Sequence, residues 1–245
     1  MFTRLRSTME QGGGCPIQVS PPDSHAETKR SDPAAHLADN RSVTTDLPLL
    51  WQTPDEWAEH ALSDPLALLN DHAWLEKKAA SNALELLNRW PEPHPPENWV
   101  VAMTAIARDE VEHLAVVVRI LARRGGRLTR SHQNGYASRL RDLVRFGEGP
   151  DEVSDRLMIS ALIEARSCER FELLSRHCPD AELARLYRSL YASEAGHYRT
   201  FLDLARFLPN ERAVDVRWQW MLEREARIIT ALPPGPTMHS GMATA

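Results

Sequence analysis

Cysteine is scarce in this sequence: only three occur among 245 residues, namely Cys15, Cys168 and Cys178. Their spacing fits neither a disulfide framework nor the Cys-x-x-Cys pairs of a structural zinc site. No apolar run approaches the roughly 18 residues that a membrane span needs. The opening segment MFTRLRSTMEQGGGCPIQVS also lacks the apolar block of a secretory signal. These absences predict a protein of the reducing cytoplasm that does not enter a membrane.

Sustained apolar periodicity is absent from residues 1–45, which are rich in Gly, Pro, Ser, Thr and Asp. Such a segment cannot bury enough apolar surface to fold, and we therefore predict a disordered leader. From residue 46 the composition changes, and we predict one domain over residues 46–245. The whole chain is 42% hydrophobic and 26% charged, which favours a globular protein with one core.

Period-two alternation is also missing, so no strand is expected and the predicted fold class is all-α. A short helix is predicted over residues 54–62. Four long helical patterns follow, and each stops at proline or glycine. They cover residues 65–90, 97–124, 150–178 and 180–208, and a last helix covers residues 211–230. The connection between the second and third patterns is about 25 residues long, which is enough to cross a four-helix bundle.

Acidic residues interrupt the apolar stripes of the four long helices. At about 100° per residue, Glu110 and His113 fall on the apolar stripe of the second long helix, whereas Glu112 points nearly opposite, towards solvent. The fourth helix repeats the Glu-x-x-His spacing, and the first and third helices each carry one inward glutamate. The six inward residues are Glu76, Glu110, His113, Glu164, Glu194 and His197. We predict that they meet inside the bundle.

Four carboxylates buried together repel one another and lose several kcal/mol of hydration each, so positive charge is needed among them. Two metal ions meet that need. A glutamate from each of two helices and Glu-x-x-His from each of the other two is the ligand set of ferritin-like di-iron and di-manganese bundles. Oxygen and imidazole donors favour iron or manganese over a thiolate zinc site.

Each of these features also has an ordinary structural explanation. A single Glu-x-x-His on a helix usually marks a solvated face, and only the second copy on another apolar stripe makes the pattern specific. His72, one turn before Glu76, is interpreted as a hydrogen-bonded core histidine in preference to a partner of the metal ligands. Cys168 is interpreted as a small core residue, although it lies one turn from Glu164.

Arginine is concentrated between residues 119 and 145, where eight arginines accompany one acid in a chain whose formal net charge is −5. One interpretation is a helix end favoured by cations, followed by a solvated loop. The other is a phosphate-binding patch for nucleic acid, in which Tyr136 stacks on a base. The candidate nucleic-acid contacts are Arg123, Arg124, Arg127, Arg130, Tyr136 and Arg139.

Several segments together resemble one known family, the tRNA 2-methylthio-N6-isopentenyladenosine hydroxylases (MiaE). They are NDHAWLEKKAASNAL, ARDEVEHL, IEARSCERFELL, LYASEAGHYRTFL and MHSG. The segment EARSCERF is the most specific of them, because ferritin-like proteins in general do not carry it. The resemblance covers about residues 46–245 and implies a ferritin-like four-helix bundle with additional short helices.

The resemblance also implies an activity. Members of this family are non-haem di-iron monooxygenases that use O2 and two electrons to hydroxylate the isopentenyl group of the modified adenosine at tRNA position 37, beside the anticodon. The six inward residues match the family's iron ligands. The expected partners are therefore tRNA, bound through the anticodon loop, and a redox protein that supplies electrons, since no flavin or nicotinamide motif is visible. The chain is expected to act as a monomer.

Three other functions remain open at this point. The first is another ferritin-like di-iron oxidase or oxygenase that acts on a small apolar substrate, although the missing Cys-x-x-Cys pair counts against a rubrerythrin-type peroxidase. The second is iron storage, which the long arginine-rich connection fits poorly. The third is a metal-free helical RNA-binding module, in which six buried metal-binding groups would be hard to stabilise.

Overall fold

The computed structural model describes residues 47–208 and 211–242, and within these ranges the chain forms seven helices and no strand. The helices are α1 Glu56–Ala61, α2 Pro65–Leu87, α3 Glu97–Arg123, α4 Gly135–Arg141, α5 Pro150–His177, α6 Ala181–Phe207 and α7 Glu211–Thr230. The all-α prediction is confirmed. The predicted leader over residues 1–45 lies outside the described residues. No described helix combines the length and the apolar character that crossing a membrane requires.

Local sequence signals explain where the long helices begin. The Asp64 carboxylate accepts hydrogen bonds from the backbone N–H groups of Leu66 and Ala67, and so caps α2. Asp180 caps α6 in the same way, while proline occupies the first position of α2 and of α5. The first long pattern extends three residues too far, because the chain leaves the helix after Leu87 and not after Trp90.

Helix α4 lies inside the long connection, for which the sequence analysis predicted a crossover of the bundle and assigned no specific helix. The side chain of Asn134 accepts a hydrogen bond from Ala137 N and caps this helix. Tyr136 and Leu140 anchor it in the core, and both are fully buried. The crossover is therefore packed against the bundle.

Two helical hairpins form the bundle, α2 with α3 and α5 with α6. The apolar core forms two clusters along these helices. One cluster contains Met103, Leu157 and Phe201, and the other contains Leu69 and Val117. On α2, α3 and α6 the inward glutamate lies between the stretches that supply the two clusters, and on α5 Glu164 lies at the border of the first cluster, next to Ala165. A polar layer therefore separates two apolar ones.

A buried arginine of α5 connects three parts of the chain. Arg166 donates from Nε and Nη2 to the two carboxylate oxygens of Glu225 in α7, at 2.9 Å each. It also donates to the carbonyl of Trp51 at 3.0 Å and to Thr53 Oγ1 at 3.2 Å. Glu169, one turn along α5, forms a further ion pair with it. The residues before α1 are thereby attached to α5 and α7.

Arg170, also fully buried, holds the segment that follows α7. Its Nη2 donates to the Ser240 carbonyl at 3.2 Å, and its guanidinium lies 4.0 Å from the centre of the Trp57 indole. His239 Nε2 lies 3.3 Å from Ser167 Oγ in the same region. The segment EARSCERF therefore positions the two ends of the described domain as well as Glu164.

Candidate di-metal centre

The apolar stripes of the four long helices carry their polar residues into the middle of the bundle. Glu76, Glu110, Glu164, Glu194 and His197 are buried, and the His113 side chain is 14% exposed. Together these six residues are called the Glu/His cluster below. The metal-binding atoms of Glu76, Glu110, His113 and Glu194 all lie within 4.8 Å of one another. Three helices, α2, α3 and α6, thus supply one group of residues that could hold a metal ion, and Glu164 of α5 and His197 of α6 lie outside that group.

The two histidines lie against shared carboxylates. His113 Nδ1 is 3.1 Å from Glu194 Oε1, 3.6 Å from Glu76 Oε2 and 3.7 Å from Glu110 Oε2. His197 Nδ1 is 2.8 Å from Glu110 Oε1 and 2.9 Å from Glu194 Oε2. Glu110 and Glu194 therefore each approach both imidazoles.

Several atoms of the cluster lie at ion-pair distance from their neighbours but form no hydrogen bond with a described residue. Glu110 Oε1, Glu194 Oε1 and His113 Nδ1 are buried and form no hydrogen bond within the described part of the chain. Buried polar atoms left in this state are costly, and coordination of a metal ion satisfies them. Carboxylate oxygens and imidazole nitrogens suit iron or manganese. The residues present therefore fit a metal site.

The electrostatics of the cluster show the same need for positive charge. Burial raises the pKa of the Glu76, Glu110 and Glu164 carboxyls, and for Glu164 the nearby Glu194 raises the pKa further. Burial lowers the pKa of His113, but the close carboxylates of the surrounding glutamates outweigh it and raise that pKa to about 12. The same balance raises the pKa of His197 to about 11. Protonated imidazoles offset negative charge that metal ions would otherwise offset.

Two further residues support the cluster from behind. His72 Nε2 lies 2.6 Å from Glu76 Oε1, and burial lowers the pKa of His72 to about 4, which keeps the ring neutral. His197 Nε2 lies 3.5 Å from Asp109 Oδ2. Such contacts fix the orientation of groups that bind metal. The sequence analysis preferred a core histidine to a partner of the metal ligands; His72 is indeed buried, but it also contacts Glu76, one turn further along α2.

An apolar cavity of about 210 Å³ adjoins the cluster. Glu76, Glu110, Glu164 and Glu194 line it together with Phe171 and Met238. Apolar side chains from α2, α5 and the crossover form its walls, namely Leu75, Ala79, Ala137, Val144, Ile159 and Ile163. The cations Lys78, Arg141 and Arg156 also line the cavity, and Arg141 is exposed. The remaining lining residues are polar, namely His72, Asn82, Asn134, Ser160 and Ser167. The cavity can hold a small hydrocarbon group of a larger molecule whose polar part stays outside.

Comparison with known proteins identifies the family. The family model described as tRNA-(MS[2]IO[6]A)-hydroxylase (MiaE) matches residues 43–240. The chain belongs to the MiaE family. It is 39% identical over 193 residues to the tRNA 2-(methylsulfanyl)-N(6)-isopentenyladenosine(37) hydroxylase of Pseudomonas putida, a match that covers 79% of this chain and 92% of the relative.

Two other matches agree with MiaE membership. The enzyme of the same name from Salmonella typhimurium is 33% identical over 143 residues, which cover 58% of this chain and 52% of the relative. A solved structure, protein 43 with aldehyde deformylating oxygenase activity from Synechococcus, superimposes with a TM-score of 0.72 at 32% identity. That match covers 80% of this chain and 98% of the Synechococcus chain. The all-helical fold is thus shared with an oxygenase of a different named activity.

The arginine-rich stretch of this MiaE-family chain is partly neutralised. Arg124 donates to Asp180 Oδ2 at 2.6 Å and to Glu182 Oε2 at 2.9 Å. Arg123 also forms an ion pair with Glu182. In contrast, the exposed residues Arg127, Arg130 and Arg139 form no ion pair with any described residue. The latter three are therefore the stronger candidates for phosphate contacts.

Tyr136 corrects one sequence-based prediction. Its side chain is fully buried, and its hydroxyl donates a 2.9 Å hydrogen bond to Glu225 Oε1. Its ring centre lies 4.7 Å from that of His239. The prediction that Tyr136 stacks on an RNA base is wrong, because the ring is part of the core that anchors α4.

Proposed function

We propose that this chain hydroxylates the isopentenyl group of 2-methylthio-N6-isopentenyladenosine at position 37 of tRNA. The observation that carries the proposal is the buried Glu/His cluster beside an apolar cavity whose lining includes cations. Membership of the MiaE family supports the same reaction. The reaction consumes O2, two electrons and two protons, and it yields one hydroxyl group and one water.

The Glu/His cluster is proposed to hold two iron ions, with Glu76, Glu110, His113, Glu164, Glu194 and His197 as ligands. When bound, the iron supplies reduction of O2 and oxidation of a C–H bond. His72 and Asp109 orient Glu76 and His197 through their hydrogen bonds. The apolar walls of the cavity exclude water and hold the hydrocarbon tail against the cluster.

The substrate must present its tail to a cavity inside the bundle. A base in the anticodon loop can leave its stack at a cost of a few kcal/mol, as substrates of other base-modifying enzymes do. We propose a separate redox protein as the electron donor, and a monomer acting in the cytoplasm, where tRNA substrates are available. The proposed reaction does not depend on residues 1–45.

The first test is nucleoside mass spectrometry of tRNA from cells with and without the gene for this chain. Loss of the chain is expected to remove the hydroxylated nucleoside and to leave its unhydroxylated precursor, and a plasmid copy is expected to restore the product. Metal analysis of the purified protein accompanies this test. Hydroxylated nucleoside that persists after deletion would contradict the proposal. Turnover of a fatty aldehyde, with no turnover of tRNA, would favour the alternative of a small apolar substrate.

Arg127, Arg130 and Arg139 give a second test, because their charges are unpaired within the described structure. Replacing all three with alanine is expected to weaken tRNA binding and to flatten its salt dependence by about 0.7 in log–log slope for each phosphate that is no longer neutralised. Arg206→Ala is the control, since this exposed arginine already pairs with Asp215. Equal slopes for the triple variant and the unchanged protein would remove these arginines from the tRNA interface.

A further inference from the structure

A polar groove adjoins the apolar cavity on the side of the crossover. It is lined by Lys78, Gln133, Asn134, Gly135, Ala137, Ser138 and Arg141. Four of these residues, Lys78, Asn134, Ala137 and Arg141, also line the cavity. The two spaces are therefore neighbours with a shared wall, one apolar and next to the Glu/His cluster, the other polar. This groove contains none of the arginines that the sequence analysis selected.

The two cations of the groove have no counter-ion among the described residues. Neither Lys78 nor Arg141 forms an ion pair with a described residue, and the Arg141 guanidinium lies 5.8 Å from the centre of the Phe146 ring. Neighbouring arginines differ in this respect. Arg156 pairs with Glu152 at 2.9 Å, and Arg145 pairs with Asp155 at 2.8 Å. The groove has no acidic residue in its lining, so its positive charge is available to an anion.

Lys78 is held in place by a chain of hydrogen bonds. Its Nζ donates to His132 Nδ1 at 2.9 Å, and His132 Nε2 lies 2.6 Å from Asp71 Oδ1. Asp71 Oδ2 in turn accepts a 2.8 Å hydrogen bond from Met238 N, and the Trp74 indole stacks on the His132 ring at 6.0 Å. These contacts tie α2, the crossover and the segment after α7 to one ammonium group. Less ordering entropy is then lost when an anion binds there.

We propose that this groove binds the phosphodiester backbone beside the target nucleoside, with Lys78 and Arg141 contacting phosphate oxygens. This inference rests on the proposed function, since it assigns the groove to the same RNA substrate. The amide of Gln133 and the hydroxyl of Ser138 suit ribose and phosphate oxygens. The hydrocarbon tail of the base enters the adjoining cavity, and the groove sets its direction. Lys78 and Arg141 are thus positioning residues that distinguish RNA from a small apolar substrate.

The test compares two substrates that differ in phosphate. One is an anticodon stem-loop that carries the modified adenosine, and the other is the free modified nucleoside. Lys78→Met and Arg141→Met remove the charge and keep much of the aliphatic volume. Each variant is expected to raise KM for the stem-loop about tenfold more than it raises KM for the nucleoside. The reason is that a variant loses one charged hydrogen bond to phosphate, and such a loss usually costs about this factor. Lys78→Arg is expected to recover most of the loss.

Lys77→Met is the matched control. Lys77 directly precedes Lys78 in α2, but it is exposed and does not line the groove. It is expected to change KM little for either substrate. Thermal unfolding of every variant checks that the fold is kept. Equal losses on stem-loop and nucleoside, or no loss on the stem-loop, would overturn the assignment of the groove.

A binding measurement separates this inference from the proposed function. Fluorescence anisotropy of the stem-loop reads affinity without turnover, and removal of each cation is expected to reduce the log–log salt slope by about 0.7. If the unchanged protein hydroxylates neither substrate, the proposed function fails, while a reduced slope in both variants still supports an RNA-binding groove. Unchanged affinity and slope in both variants would overturn it.

Discussion

Glu110→Ala is expected to lose both iron and hydroxylation, whereas Glu112→Ala, two residues further along α3, is expected to keep both. Glu110 is 1% exposed, and its carboxylate lies against both His113 and His197. The Glu112 side chain is 71% exposed on the opposite side of the helix. We expect activity to fall by more than about 100-fold, because even residues behind the ligands change metal affinity or activity by about 10–100-fold.

The measurement combines metal analysis with mass spectrometry of the tRNA product. Glu110→Gln separates charge from shape, since it fills the same space without the anionic oxygens and is also expected to lose iron. Thermal unfolding of the metal-free proteins is expected to show that Glu110→Ala and Glu110→Gln are folded, because each removes a carboxylate that is costly to bury. A Glu110→Ala protein that keeps two irons per chain would show that the proposed ligand set is wrong.

Glu225→Ala is expected to cause the largest loss of stability, about 3–5 kcal/mol, because it leaves the charge of Arg166 buried beside only one remaining carboxylate. Both residues of this pair are fully buried, and the hydroxyl of Tyr136 loses its acceptor as well. At this chain length the change corresponds to a fall in Tm of roughly 6–20 °C. Urea denaturation and thermal unfolding measure it.

An exposed ion pair provides the control for Glu225. The side chains of Arg206 and Asp215 are 47% and 74% exposed, so Asp215→Ala is expected to cost less than about 1 kcal/mol. The double variant Arg166→Met with Glu225→Met is expected to recover much of the loss, since apolar residues can replace a buried pair. If Glu225→Ala costs no more than Asp215→Ala, the pair does not hold α7 to α5.

Helical periodicity was sufficient to find the residues that meet inside the bundle. Glu110 and Glu112 have the same chemistry, and only the 100° step separates the buried one from the exposed one. The same reasoning selected Glu76, Glu164 and Glu194, which line one cavity in the structure. These positions were predictable because each depends on the helix that carries it and on its local apolar stripe.

Contacts between distant segments could not be read from periodicity. Tyr136 lies in an arginine-rich stretch, and nothing local reveals that Glu225, 89 positions away, accepts its hydrogen bond. Arg124 likewise has basic neighbours in the sequence, but in the structure it forms an ion pair with Asp180. Arg166 is the extreme case, since a fully buried arginine contradicts the usual preference of that residue for the surface. Only its specific partners explain it.

The polar layer between the two apolar clusters has a consequence for the lifetime of the protein in the cell. The layer concentrates carboxylates where the rest of the bundle gains stability from hydrocarbon contacts. Any ligand that binds the folded chain alone adds about 2.7 kcal/mol at a hundredfold excess over its Kd. With iron bound as proposed, iron supply would govern the fraction of unfolded molecules that proteases remove, and scarcity of the metal would lower abundance as well as activity.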